Sequence, residues 1–149
     1  MPKFIYKMQN ILGIKLKMEE QAKTAYGMAR LNLIKEEEKL FALNQKHVLY
    51  QLKCKELMSQ VLNIIKINQC FEDIEIIKSN ITLQKEAVKR AEQKVETARL
   101  RLNAAMQERK THERLKEKAF DEFVLEYEAE QRKEIDELVS YRYNSPTAS

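Results

Sequence analysis

Between Lys3 and Ser145 the chain contains no proline, because its only two, Pro2 and Pro146, stand at the ends. Proline has no backbone N–H to donate, and its ring collides with the preceding turn, so it stops helices more surely than any other residue. Its absence leaves nearly the whole chain open to uninterrupted helix. Glycine hardly interferes, since Gly13 and Gly27 each stand alone inside helical patterns. With 34% charged residues and so few turn formers, the many reversals of a sheet cannot be built, and an all-α fold is expected.

A chain of this kind must draw its stability from a narrow apolar seam repeated over great length. One such seam runs through Leu40, Leu43, His47, Tyr50, Cys54, Leu57, Val61, Ile64, Asn68 and Phe71, in alternating steps of three and four. A second runs through Ile74, Ile77, Ile81, Gln84, Val88, Ala91, Val95, Ala98, Leu102 and Ala105, flanked mostly by Lys, Arg, Glu and Gln. Farther on, Leu115, Ala119, Phe123, Tyr127, Ile135 and Leu138 mark a stripe, but the alternation lapses between Arg109 and Leu115, so a change of partner or exposure is expected there.

A single helix of about 140 residues would extend roughly 210 Å, which requires a parallel oligomer. Folding back into an antiparallel coiled-coil hairpin is simpler. Ser59 and the Ser79-Asn80 pair are the candidate caps for a second helix. Charge favours a turn nearer residue 72: residues 1–18 carry four lysines and no acid, whereas 119–143 carry eight acids against three bases.

Several function classes are excluded or demoted. The longest apolar stretches, such as Val61 to Ile65, fall far short of the roughly 18 to 20 residues that cross a bilayer. Lys7, Lys15 and Lys17 interrupt the apolar residues of the N-terminus, so no secretory signal is read there and a cytosolic protein is expected. Cys54 and Cys70 have no framework spacing and are expected to be reduced, small hydrophobes of the seam. His47 and Cys54, seven apart, cannot hold a metal without ligands from another helix. His112 has no nucleophile or acid at a recognisable spacing, and no glycine-rich phosphate loop exists. No catalytic site, metal or cofactor is expected. The pI of about 9.0 invites a nucleic-acid reading. However, 23 acids are interspersed among 27 bases, so no phosphate-tracking stripe emerges. The basic N-terminus, with Phe4, Ile5, Met8, Ile11, Leu12 and Leu16, also fits an anionic membrane surface.

Read together, the two ends carry a resemblance. A Phe4-x-x-x-Met8-x-x-Ile11-Leu12 stripe precedes Lys17-x-Glu19-Glu20-Gln21-Ala22. Much later come Ala105-x-x-Glu108-Arg109-Lys110-x-x-Glu113-Arg114-Leu115-Lys116-Glu117-Lys118 and Glu134-x-Asp136-Glu137. This arrangement resembles the FliJ family of the bacterial flagellar type III export apparatus over essentially the whole chain, although His112 stands where an aliphatic residue is often seen. The resemblance sets the expected turn at Met58-Ser59. It thus implies one coiled-coil domain over residues 1–143, with helices of about 3–57 and 60–142 and a disordered tail at 144–149.

The resemblance further implies a non-enzymatic cytosolic component of flagellum biogenesis, similar to the central stalk of rotary ATPases. Its implied place is the cytoplasmic face of the inner membrane, with peripheral association through the apparatus. Its implied partners are the hexameric export ATPase, the cytosolic domain of the export gate and export chaperones. Carried over by position, Tyr50, Cys70, Phe71, Ile74, Ile77 and Ile81 would face the gate, unless they merely fill the seam. Arg109, Lys110, Arg114, Lys116 and Lys118 would meet the ATPase, unless they form an ordinary solvated face. A generic coiled-coil scaffold or chaperone unrelated to flagella is the alternative with the same fold.

Overall fold

The computed structural model describes residues 2–60 and 63–144, with the side chain of Asn144 left out. Two helices account for almost all of them: α1, Gln9–Ser59, and α2, Ile64–Asn144. They pack side by side in the antiparallel sense of a coiled-coil hairpin. Contacts between them join residues 16 apart at Cys54 and Cys70, 48 apart at Glu36 and Gln84, and 90 apart at Glu19 and Arg109. Partners that separate steadily along the sequence are the mark of strands of chain running in opposite directions.

The packing forms two compact units, one of residues 20–104 and one of residues 1–19 with 105–149. In the first, the shielded residues of α1 are Ala22, Tyr26, Ala29, Leu33, Glu36, Leu40, Leu43, His47, Tyr50, Cys54 and Leu57, and those of α2 include Ile67, Cys70, Ile74, Ile77, Ile81, Gln84, Val88, Ala91, Val95, Ala98 and Leu102. Both series alternate steps of three and four without a break. Two polar members meet across the seam, where the Gln84 amide donates to the Glu36 carbonyl at 2.9 Å and to its carboxylate at 2.5 Å. In the second unit the same alternation runs through Leu12, Lys15 and Glu19 and, on α2, through Ala105, Arg109, His112, Lys116, Ala119 and Phe123. The expected lapse after Arg109 does not occur. The register continues with Arg109, His112 and Lys116 at seam positions, while Leu115 faces solvent.

The turn also differs from the expectation. Helix α1 continues through Ser59, whose hydroxyl donates back to the Glu56 carbonyl at 2.7 Å instead of capping the next helix. The cap of α2 is Asn63: its side-chain oxygen accepts from the Lys66 N–H at 3.3 Å, and its carbonyl accepts from the Ile67 N–H at 3.0 Å. Helix 2 thus begins at Ile64, later than residue 60, because Asn63, four residues past the expected cap Ser59, satisfies the orphan donors. The seam therefore does not run straight through to Phe71. Ile64, Asn68 and Phe71 are exposed, and the buried register restarts at Ile67 and Cys70.

Val61 of the expected seam lies outside the described residues, but with α1 ending at Ser59 and α2 beginning at Ile64, Cys54 and Cys70 stand five and six residues from the facing helix ends. They form a disulfide across the seam, with Cα atoms 5.8 Å apart, which corrects the expectation of two reduced thiols. Around it Ile74, Tyr50 and Leu57 complete a small apolar cluster.

At the N-terminus, helix starts at Gln9 rather than near residue 3. Residues 2–6 are non-helical, and the Gln9 and Leu12 N–H groups donate to the Tyr6 and Met8 carbonyls. Phe4 explains the departure. Its ring packs against Phe120 at 5.2 Å, edge to face, and against Phe123 at 5.4 Å. The tail from 145 onward lies outside the described residues. Among the described residues no helix is long and apolar enough to cross a membrane.

Candidate functional surfaces

With most side chains open to solvent, the surfaces able to do something are those that expose apolar area or concentrate charge. In the unit of residues 20–104, the inner one along the sequence, the structure buries four of the six residues read as gate-facing. Cys70, Ile74, Ile77 and Ile81 lie in the seam, and Cys70 is tied up in the disulfide. Only Tyr50 and Phe71 present surface. Tyr50 is half-buried and flanked by the Lys46 and Lys53 ammonium groups, 5.7 and 5.6 Å from its ring centre. Phe71 is exposed, as are Met58, Ile64 and Ile65 around the connector.

A second apolar face escaped sequence reasoning. Leu31, Ile34, Phe41, Val48, Leu49 and Leu52 are all exposed on α1, and Phe41, Val48 and Leu49 line a shallow hollow of about 450 Å³ with Asn44 and Gln45. Phe41, Gln45, Val48 and Leu52 recur in steps of four and three, as the seam does, but one or two positions past each seam member. The signal was present in the sequence and became readable only once the seam was assigned. This much aliphatic and aromatic surface along one helix face is unusual for a chain that keeps to itself.

In the terminal unit, charge organises the site. Arg109 donates from Nε to Glu19 and from a terminal nitrogen to Glu113 at 2.8 Å, so of the five basic residues read as ATPase-facing this one is committed internally. Its partner Glu19 is buried. The hydrogen bond to Glu19 raises the Arg109 pKa further above its usual value. Beside it Lys15 donates to Glu108 at 2.7 Å and holds that carboxyl below the usual range. Lys116 occupies a seam position, half-buried. Lys110, Arg114 and Lys118 remain exposed and, at steps of four, line one helix face. From Glu128 to Tyr143 every residue of α2 is exposed, including Ile135, Leu138, Val139 and Tyr141.

The Nε2 of His47 and the Nδ1 of His112 are buried without a hydrogen-bond partner among the described residues, and both histidines occupy seam positions. Among the described residues no group of three His, Cys, Asp or Glu side chains could hold a metal.

Comparison with known proteins adds two findings. The family profile described as "Flagellar FliJ protein" matches residues 4–147. The solved structure of a protein titled a YscO homologue, from Chlamydia trachomatis, superposes with a TM-score of 0.62 at 19% identity, covering 95% of this chain and 96% of that one. At that identity the likeness carries the fold. No curated protein matches the sequence.

Proposed function

We propose, because the chain belongs to the flagellar FliJ family, that it is a non-enzymatic part of the type III export apparatus that links and stimulates the export ATPase hexamer and engages the export gate and export chaperones. The observation carrying this reading is the final stretch of α2, where Ile135, Leu138 and Val139 form an apolar stripe that no described residue covers. An amphipathic helix left open in this way is suited to a groove or ring of another protein. Its acids and the basic Lys110, Arg114 and Lys118 face supply charge of both signs for orienting the encounter. Differential contact with one conformation of the hexamer over another is all that stimulation requires. For the gate, Tyr50 and Phe71 are the members of the inner-unit set that keep surface to offer, and peripheral residence at the membrane follows from these protein contacts.

The test is ATP hydrolysis by the export ATPase of the same organism with increasing amounts of this protein. Saturable stimulation is expected, lost on Ile135→Asp with Leu138→Asp and weakened by charge reversal at Lys110, Arg114 and Lys118. These substitutions spare the Phe4, Phe120 and Phe123 packing, so the variants keep their helical content. If the assembled hexamer is indifferent to the protein, the reading as an ATPase stimulator fails and a general coiled-coil scaffold takes its place.

A further inference from the structure

We propose that the Cys54–Cys70 bridge is a reversible thiol–disulfide exchange site, open to small anionic thiols of the glutathione class, that latches the connector end of the hairpin. Three observations carry this. First, the two cysteines lie on facing helices with Cα atoms 5.8 Å apart, a spacing that accommodates the bridge without moving backbone. Second, the environment also suits the open state. The Tyr50 carbonyl oxygen stands 3.8 Å from Cys70 Sγ and can accept from the free thiol, while Ile74, Tyr50 and Leu57 supply apolar packing to either form. Third, although both residues are buried, a groove of about 350 Å³ opens on Cys70, lined by Lys53, Leu57, Lys66, Gln69 and Asp73. Asp73 is engaged by the Gln69 amide at 3.1 Å, whereas the two lysines offer positive charge to an incoming anion and to a departing thiolate.

The chemistry balances with two small-molecule thiols. The first thiolate attacks Cys70 Sγ, the S–S bond breaks, and the electron pair leaves on Cys54 as a thiolate that takes a proton from water. The second thiolate attacks the small molecule's sulfur in the mixed disulfide and expels the Cys70 thiolate, which is also protonated. The two thiols leave as their disulfide, having supplied both electrons. The reverse sequence, with the small-molecule disulfide as oxidant, closes the bridge. Closed, it ties the last turns of α1 to the first turns of α2 and removes openings that separate them. Open, it leaves these turns held only by a narrow seam beside exposed Met58, Ile64 and Ile65.

The experiment uses the full chain equilibrated across ratios of reduced to oxidised glutathione, quenched in acid, alkylated with a mass-tagged maleimide and read by mass spectrometry, in parallel with amide hydrogen exchange. The bridged fraction is expected to follow the ratio in native buffer. Amides of residues 50–59 and 64–74 should exchange at least about tenfold faster in the reduced form. The Cys54→Ser, Cys70→Ser double variant should show the fast rate in every buffer. Charge reversal, Lys53→Glu with Lys66→Glu, should slow exchange with glutathione by roughly fivefold at low salt and spare the reaction with neutral mercaptoethanol. Two freely alkylated thiols after oxidised glutathione, or a bridge that opens only in denaturant, would overturn the exchange site. A bridge that switches while the amide rates stay put would overturn the latch.

Discussion

Ile76 and Ile77 are adjacent and chemically identical, yet the first is 59% accessible and the second 3%. Truncating each to alanine separates the contribution of the seam from that of composition. Burying an isoleucine is worth roughly 1.5–3 kcal/mol, and Ile→Ala in cores costs about 2–5 kcal/mol once the cavity is included. Only two helices wall this seam, so the space left at Ile77 can close sideways or admit solvent, and the lower limit of about 2 kcal/mol applies. Alanine's better helix propensity returns a few tenths, leaving a net loss of about 1.5–2 kcal/mol. For a chain of this size that lowers Tm by roughly 5–7 °C. Ile76→Ala forfeits little packing and gains the same propensity, so it should stay within about 0.5 kcal/mol of the parent. Thermal and urea unfolding followed by far-UV circular dichroism measures both, with the bridge kept in one redox state throughout. Equal losses at the two positions, or a larger loss at Ile76, would refute the seam register.

A β-carbon added at Gly27 meets nothing within 4 Å, and its backbone is helical, so Gly27→Ala should raise stability by about 0.5–1 kcal/mol and Tm by a few degrees in the same melts. Asn63→Ala removes the side-chain cap of α2 and should cost about 1 kcal/mol, with Asn63→Asp close to neutral, read from urea midpoints and from amide exchange in the first turn of α2. The Gln84 amide lowers the Glu36 pKa, and the Lys15 ammonium lowers that of Glu108. Because the folded values lie below the unfolded ones, their stabilisation is complete above the ordinary carboxylate pKa of about 4.3 and is lost as pH falls through the folded values. Melting temperature should therefore drop on acidification below about pH 4.5, and Glu36→Gln with Glu108→Gln should flatten that drop.

How far the structure could be read in advance depended on how closely polarity tracks burial. On α2 from Ile74 to Ala105 the seam is filled by isoleucine, valine, leucine and alanine with Gln84 the one polar member, and its register was legible outright. On α1 before Leu40 it was not, because Lys15, Glu19 and Glu36 occupy positions that a pattern reader expects to be apolar. After Arg109 the same happened with His112 and Lys116. A seam between only two helices encloses each side chain on one side, so long polar stems lie along it while their heads reach water or one another, and the pattern loses its contrast. The turn was obscure for a different reason. It uses neither Gly nor Pro but one asparagine cap, and misplacing it by a few residues hid the facing cysteines. Of the residues read as candidate surfaces, Lys110, Arg114 and Lys118 are exposed along one helix face, whereas Arg109 and Lys116 are drawn into the seam. The outward Phe41, Val48 and Leu52 face was visible only after subtraction of the seam.

The solvent-surrounded end of α2 has a kinetic consequence. A peptide of its length, cut free, would be only marginally helical in water, since starting a helix costs more than extending one. Here the start is already made, because Glu128 to Tyr143 continue a helix anchored upstream. Charges spaced four apart, such as Glu128 with Arg132 and Lys133 with Glu137, add modest support of a few tenths of a kcal/mol each. Such a segment can melt and reform from its C-terminal side while the packed part of the helix stays in place. A protein gripping it finds the right conformation waiting, and releases it without having to unfold anything else. That combination suits a contact made and broken repeatedly better than one made once.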